Sequence, residues 1–236
     1  MARYTRHQLK EDRFATAVQE QVHWAVAHRN KMIVAGAVLG LLVLAAFGAF
    51  FYNQSRNDQA SVALSAALRL YDAPLRPASA PQQPGQVSFT KSAERAQAAQ
   101  KEFRKVVQDY PYTRSADFAR YFVGVTAMDM GDYKTAEDQL KELTGSRRDD
   151  LSALSKLALA SVYRGAGKEA QAIPLYKDLI DHPSNTVPKS TAQLELAALY
   201  EKAQPTEASR IYEQIRKDEP NSIAAQYAGT RLQGGK

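Results

Sequence analysis

The chain has 236 residues, of which 44% are hydrophobic, with a formal net charge of +6 and no cysteine. The absence of cysteine excludes a disulfide framework, a cysteine-based zinc site and a precursor that is lipidated on cysteine. Half of the excess positive charge lies in residues 1–31, so the rest of the chain has no concentrated basic face of the kind that binds nucleic acid.

Residues 1–31 form a basic tail that we expect to lie in the cytoplasm. Phe14, Val18, Val22 and Val26 recur at the spacing of one helical face. The tail is therefore either an amphipathic helix at the membrane surface or a polar segment that is helical only near the bilayer.

Residues 32–52 are predicted to form a transmembrane helix. The run from Met32 to Phe51 carries no charge, and at about 1.5 Å per residue it spans roughly the 30 Å of a hydrocarbon core. The alternative is a cleavable signal peptide, but its apolar region covers only about 7–15 residues and begins nearer to the N-terminus. Gly36 and Gly40 lie about one helical turn apart and are predicted to form a packing face for another membrane helix.

Basic residues at the two ends of the apolar run predict its orientation. Arg29 and Lys31 adjoin its N-terminal end, whereas only Arg56 follows it closely. Because lysine and arginine concentrate on the cytoplasmic side, we expect the N-terminus inside and residues 53–236 outside the membrane. In a bacterium the outside compartment is the periplasm, an oxidising compartment that suits a chain without cysteine.

Residues 73–90 interrupt the helical pattern soon after the span. A helix is predicted over residues 58–72, and the segment that follows contains the breakers Pro74, Pro77, Pro81, Pro84 and Gly85. Such a composition excludes a helix. The segment is either an insertion, which costs little entropy, or an extended stretch that recognises a partner.

From residue 91 the sequence repeats with a period close to 36 residues. The equivalent positions are Ala99, Ala136, Ala172 and Ala208, and each has a large apolar residue four and seven positions later. Gly124, Ala160 and Leu196 precede the last three alanines by twelve residues. The pattern predicts pairs of helices, A and B, that pack at these small residues. Together with the apolar run, it predicts an all-α fold with a single N-terminal transmembrane helix followed by a tetratricopeptide-repeat (TPR-like) α-solenoid.

The two ends of the repeat array depart from the pattern. The Pro-rich loop separates the two helices of the first repeat, and the fourth repeat has Leu196 in place of the small residue and Ala203 in place of a turn glycine. A capping helix is predicted over residues 222–232, with Ser222 as its N-cap.

Helix A of each repeat lines the inner face of such a solenoid, and its register predicts a groove for protein partners. The predicted groove residues are Phe118, Tyr121, Val125, Asp129, Leu154, Leu157, Ser161, Arg164, Gln193, Ala197, Tyr200 and Glu201. This mixed lining suits an extended or unfolded polypeptide. The alternative is that some of these side chains serve only packing or solvation, because a fold does not fix a function.

The sequence contains no motif for catalysis, a cofactor or a metal. His7, His23, His28 and His182 do not form a metal-binding spacing, and His182 is expected to interact with a helix end. There is no glycine-rich phosphate loop and no nucleophile elbow. We therefore expect a non-enzymatic protein that has no cofactor and binds neither nucleic acid nor a small-molecule substrate.

The order of segments carries a family resemblance. The tail from Asp12 to Lys31 leads into a span that contains Gly36 and Gly40, the juxtamembrane stretch 54–71 follows, and the repeats come without another domain. In this order the chain resembles the YfgM-like ancillary subunits of the SecYEG translocon. The Pro-rich loop is the clearest departure from them.

The resemblance implies a single-pass protein of the bacterial inner membrane with a periplasmic TPR domain. Its partners would be Sec translocon subunits and a membrane-anchored periplasmic chaperone, and its role would be to help to pass secreted proteins to such chaperones. Two alternatives remain open: an adaptor in cell-envelope assembly or division, and a regulator that acts through its cytoplasmic tail.

Overall fold

The computed structural model describes residues 29–81 and 84–234 and divides into two compact parts, Met1–Ser55 and Arg56–Lys236. The predicted amphipathic helix of the tail lies outside the described residues. The helices in chain order are α1 (Arg29–Tyr71), α2 (Ser92–Asp109), α3 (Arg114–Asp129), α4 (Tyr133–Lys141), α5 (Asp149–Gly165), α6 (Glu169–Asp181), α7 (Lys189–Ala203), α8 (Pro205–Asp218) and α9 (Ile223–Gly234). The predicted all-α fold is confirmed.

In the first part, α1 is exposed at every described residue from 29 to 55. Its most apolar window has a mean hydropathy of 2.5, and within the described residues it is the one helix that is long and apolar enough to cross a membrane. A helix that is apolar on all sides and exposed on all sides is matched to lipid rather than to water. A Cβ atom added at Gly36 or Gly40 would meet no other atom within 4 Å, so both glycines border open space.

In the second part, which we call the repeat domain, successive helices pack on one another in chain order. Helix A and helix B are α3 and α4 in repeat 2, α5 and α6 in repeat 3, and α7 and α8 in repeat 4. Buried alanines, leucines and tyrosines from all three repeats form one continuous core. Such a core depends on contacts between neighbouring repeats.

Turn and cap residues set the ends of these helices. Gly131 and Gly167 adopt φ values of 78° and 72°, which side chains with a Cβ rarely allow, and they reverse the chain between helices A and B. The Asp132 side chain accepts a hydrogen bond from the Thr135 N–H at 3.1 Å. The Ser222 hydroxyl accepts one from the Ala225 N–H at 3.0 Å, as the sequence predicts for an N-cap.

Repeat 2 shows why a small residue is needed where helices A and B cross. A Cβ atom on Gly124 would lie 2.6 Å from Cγ of Leu140, which is fully buried in the core. Gly124→Ala is therefore expected to destabilise the protein by about 1–3 kcal/mol through overpacking, despite the better helix propensity of alanine. Thermal unfolding followed by circular dichroism measures the effect. Gly145→Ala, where the added atom meets nothing within 4 Å, is the control, and equal melting temperatures for the two variants would contradict this packing.

The Pro-rich loop is anchored at its base by backbone hydrogen bonds. The Arg76 N–H donates to the Phe89 carbonyl at 2.8 Å, and the Phe89 N–H donates to the Pro74 carbonyl at 3.1 Å. Nη1 of Arg95, on α2, donates to the Ala73 carbonyl at 3.2 Å. These contacts close the long connection and bring α2 back beside the end of α1.

Aromatic stacking completes the first repeat even though the loop divides its sequence. Phe103 of α2 stacks on Phe122 of α3, with ring centroids 5.0 Å apart and planes inclined by 13°. Tyr71, the last residue of α1, lies 5.5 Å from the Phe122 ring and 6.4 Å from the Phe103 ring. The end of α1 therefore acts as helix A of repeat 1, and α2 acts as its helix B.

Candidate protein-binding surface

The structure places the predicted groove residues of repeats 2 and 3 along the first helix of each repeat. Those that are half-buried are Phe118, Tyr121, Val125, Leu154, Leu157 and Ser161, and those that are exposed are Asp129 and Arg164. Tyr121, Val125 and Leu157 also contact the core. These three side chains therefore contribute to packing with one edge and leave another edge exposed to solvent.

In repeat 4, three of the predicted groove residues are buried instead. Gln193, Ala197 and Tyr200 are 6%, 0% and 9% exposed. Gln193 and Tyr200 line a cavity together with Ile180 of α6 and Ile211 of α8, on the side of α7 that faces the B helices. The prediction is therefore wrong for these three residues, which are not accessible to a partner along helix A.

The error arises from the number of residues that separates equivalent positions of helix A in repeats 3 and 4. Buried residues of α5 correspond to buried residues of α7 at a separation of 37 residues, in the pairs Leu159 and Leu196, Ala160 and Ala197, Val162 and Leu199, and Tyr163 and Tyr200. The sequence prediction used 36, which is the separation of Ala172 and Ala208 in the B helices. Ala197, rather than Leu196, is therefore the small residue that corresponds to Ala160.

The turn of repeat 4 explains the shift. Residues 166–168 connect α5 to α6, whereas Gln204 alone connects α7 to α8. Pro205 is the first residue of α8, where its fixed φ suits a helix start. Ala203 in place of a glycine, followed so closely by Pro205, is the signal in the sequence that could have revealed the shorter turn.

The corrected separation of 37 residues assigns different residues of α7 to the surface. Thr191, Leu194 and Ala198 correspond to Leu154, Leu157 and Ser161, and all three are half-buried. We use the term helix-A surface for Phe118, Tyr121, Val125, Leu154, Leu157, Ser161, Thr191, Leu194 and Ala198. None of these nine side chains is charged.

Ion pairs between A helices lie beside the helix-A surface. Nη1 of Arg164 lies 2.6 Å from an Oε2 atom of Glu195 on α7. Glu201 forms an ion pair with Arg231 of α9 and accepts a hydrogen bond from the Tyr212 hydroxyl at 2.7 Å. Two of the predicted groove residues, Arg164 and Glu201, therefore join successive repeats.

Asp129 is the remaining charged residue of the predicted groove, and it lies at the end of α3. Burial raises the pKa of its carboxyl group, while the Tyr71 hydroxyl and the nearby Arg95 act in the opposite direction. The carboxyl group therefore lies near the Tyr71 hydroxyl and Arg95 beside repeat 1, although Asp129 as a whole residue is exposed.

The pairing of Glu201 predicts a pH dependence of stability. The hydrogen bond from Arg231 lowers the pKa of Glu201, and the Tyr212 hydroxyl adds to this effect. Because the pKa is lower in the folded state, the stabilisation is complete above the unfolded pKa of about 4.3 and is lost as the pH falls through the folded pKa. Glu201→Gln should therefore lose less stability than the wild type between about pH 5 and pH 3.

Melting curves at a series of pH values measure this difference. Glu169→Gln, at an exposed position on α6, should retain the slope of the wild type. An unchanged acid slope in Glu201→Gln would show that the ion pair between α7 and α9 does not stabilise the fold.

His182 and the carboxylates do not form a candidate metal site. His182 follows the last residue of α6 as its C-cap, and its Nδ1 lies 3.2 Å from the Asp178 carbonyl oxygen. Over residues 29–81 and 84–234, no group of three or more histidine or acidic side chains could hold a metal ion.

Stacked helix pairs with a lateral surface built from their first helices define a helical-repeat protein. A family model described as a tetratricopeptide repeat-like domain matches residues 21–179, well over half of the chain. A second one, described as a tetratricopeptide repeat, matches residues 191–222. The chain belongs to the tetratricopeptide repeat-like domain family, and its repeat domain is a module for protein–protein interaction. A search of curated proteins and a search of solved structures gave no match.

Proposed function

We propose that this protein is a non-enzymatic, membrane-anchored binding module for extended polypeptides. It acts as an accessory subunit of the Sec translocon in the bacterial inner membrane and passes secreted proteins to a membrane-anchored periplasmic chaperone. The observation that supports this proposal is the helix-A surface, which runs without a charged side chain from α3 through α5 to α7. The order of segments, with an apolar helix before the repeats, supports the location.

The chemistry of the surface fits a client that is not yet folded. Tyr121, Leu157 and Leu194 offer apolar contacts. The Thr191 hydroxyl can bond to a peptide backbone, and the Ser161 hydroxyl, which donates to the Leu157 carbonyl, can still accept from a peptide N–H. Because the side chains are half-buried, each contact area is small, so that affinity comes from many weak contacts along the client. Such contacts tolerate many sequences, which is what passage of different secreted proteins requires.

The membrane anchor supports a role at the site of export. Residues 32–52 are exposed and uncharged, and Arg29 and Lys31 precede them, which favours a cytoplasmic N-terminus. The repeat domain is then periplasmic. The family match begins at residue 21, before this helix, so the helix belongs to the matched region rather than to a separate addition.

Binding of an unfolded secretory polypeptide to the full chain in lipid nanodiscs tests the proposal. Leu157→Glu and Leu194→Glu each place a charge on the helix-A surface and should weaken binding at least tenfold, because an apolar contact is replaced by a buried charge. Gln171→Glu adds the same charge at an exposed position of helix B in repeat 3 and should bind as the wild type does. Equal affinity for all three variants would refute the surface as the binding site.

The open glycine face of α1 leads to a prediction about the translocon. Gly36→Leu combined with Gly40→Leu should reduce recovery of translocon subunits with the protein several-fold in mild detergent, because small residues allow membrane helices to approach closely. Gly48→Leu is the control, since a Cβ atom there also meets nothing within 4 Å. Co-purification of division or envelope-assembly proteins instead of translocon subunits would support the adaptor alternative.

A further inference from the structure

The B helices of successive repeats enclose a recurring cavity. Between α2 and α4 its lining includes Arg104, Val107, Thr135 and Gln139. Between α6 and α8 the corresponding residues are Lys177, Ile180, Glu207 and Ile211, with Gln193 and Leu196 of α7 at the back. In each case the second B helix packs over the groove between the first B helix and the A helix that follows it.

The same position recurs once more after repeat 4. Four residues that face α8 in repeat 4 have counterparts 36 positions later, in the pairs Lys177 and Glu213, Ile180 and Arg216, Gln193 and Gly229, and Leu196 and Leu232. The four counterparts line an open groove of about 830 Å³ between α8 and α9. In the part of the chain that the structure describes, no further helix covers this groove. Among the described residues, the position that α8 occupies in repeat 4 is therefore open next to α8 and α9.

The outer side of α9, the last helix that the structure describes, also exposes apolar side chains. Ile223 is 85% exposed and Tyr227 is 49% exposed. The one charged residue of α9, Arg231, is already paired with Glu201. A terminal helix that only shields the array from water normally carries a polar outer face. We use the term open end for the groove together with the exposed face of Ile223 and Tyr227.

We propose that the open end binds the open end of a second copy of this chain, with α9 of each copy covering the groove of the other. A two-fold contact brings identical surfaces together, so charges must be absent or must pair with one another. The exposed face of α9 is neutral, and Glu213 and Arg216 supply one acid and one base per copy. Neither forms an ion pair within the described residues, so Glu213 can pair with the partner's Arg216.

A cysteine scan tests this dimer directly, because the natural chain has no cysteine. Thr230→Cys, at an exposed position of α9, should give a disulfide-linked dimer on mild oxidation of the full chain in lipid nanodiscs assembled with two copies. Gln171→Cys, exposed on α6, should remain monomeric. Equal dimer yields for the two variants, or adducts of Thr230→Cys with other proteins but not with itself, would overturn the proposal.

A substitution on the open end provides a second test of the proposed dimer. Tyr227→Asp should raise the dissociation constant of the dimer at least tenfold in detergent, as measured by mass photometry, because two copies of the charge meet near the axis. Tyr112→Asp changes an exposed tyrosine in the turn before α3 and should leave the dimer unchanged. A wild-type chain that is monomeric at all concentrations, or a dimer that survives Tyr227→Asp, would overturn the proposal. The proposed binding of clients is tested by separate variants and does not depend on this outcome.

Discussion

Phe103→Ala is expected to destabilise the repeat domain by about 3–5 kcal/mol, the range found for removal of a buried aromatic side chain. Phe103 is 0% exposed and stacks on Phe122, and Tyr71 packs against its edge. The substitution leaves a cavity where the end of α1, α2 and α3 meet. For a domain of this size the melting temperature should fall by roughly 6–20 °C, measured by circular dichroism on the full chain in detergent.

Phe118→Ala is the matched control, because Phe118 is a phenylalanine of α3 that is only half-buried. It should cost less stability than Phe103→Ala and should still weaken client binding, because Phe118 belongs to the helix-A surface. If Phe103→Ala melts at the temperature of the wild type, the end of α1 and α2 do not form a repeat with α3.

Ala172→Leu is expected to produce the second large effect, a loss of about 1–3 kcal/mol or more from overpacking. Ala172 on α6 and Ala160 on α5 are both 0% exposed and belong to one core cluster. A leucine side chain has no space there unless the two helices separate, since protein cores are close-packed. Because neighbouring repeats share this core, the damage should spread to repeats 2 and 4.

Ala170→Leu provides the comparison, since Ala170 is exposed and lies only two positions away on the same helix. Its melting temperature should stay near that of the wild type. Hydrogen exchange followed by mass spectrometry should show faster exchange in α4 and α8 for Ala172→Leu but not for Ala170→Leu. Equal behaviour of the two variants would contradict the assigned register of α6.

The repeat architecture could be predicted from the sequence because its signals are local. The alanines at positions 136, 172 and 208 each lie within a single helix, and the glycines at 131 and 167 each lie within a single turn. The structure buries the alanines and gives both glycines a positive φ. Local patterns of this kind follow from helix geometry and from the permissiveness of glycine.

The register of helix A in repeat 4 could not be predicted in the same way. It depends on how many residues form the turn before α8, and the spacing of the B helices contains no information about that number. The contacts between Arg164 and Glu195 and between Glu201 and Arg231 join different repeats, so they depend on the packing of helices distant in sequence. The open end likewise becomes visible only when α9 is seen beside α8.

Photo-crosslinking in living cells tests the central claim, that the helix-A surface binds polypeptides in export. A photoactivatable residue at Leu194 should form adducts with secretory precursors, and these adducts should disappear when export is blocked before the precursors reach the membrane. The same residue at Gln171, on the opposite helix of the preceding repeat, should form few adducts with precursors. Adducts of equal strength from both positions, or adducts from Leu194 that contain no precursor, would contradict the account.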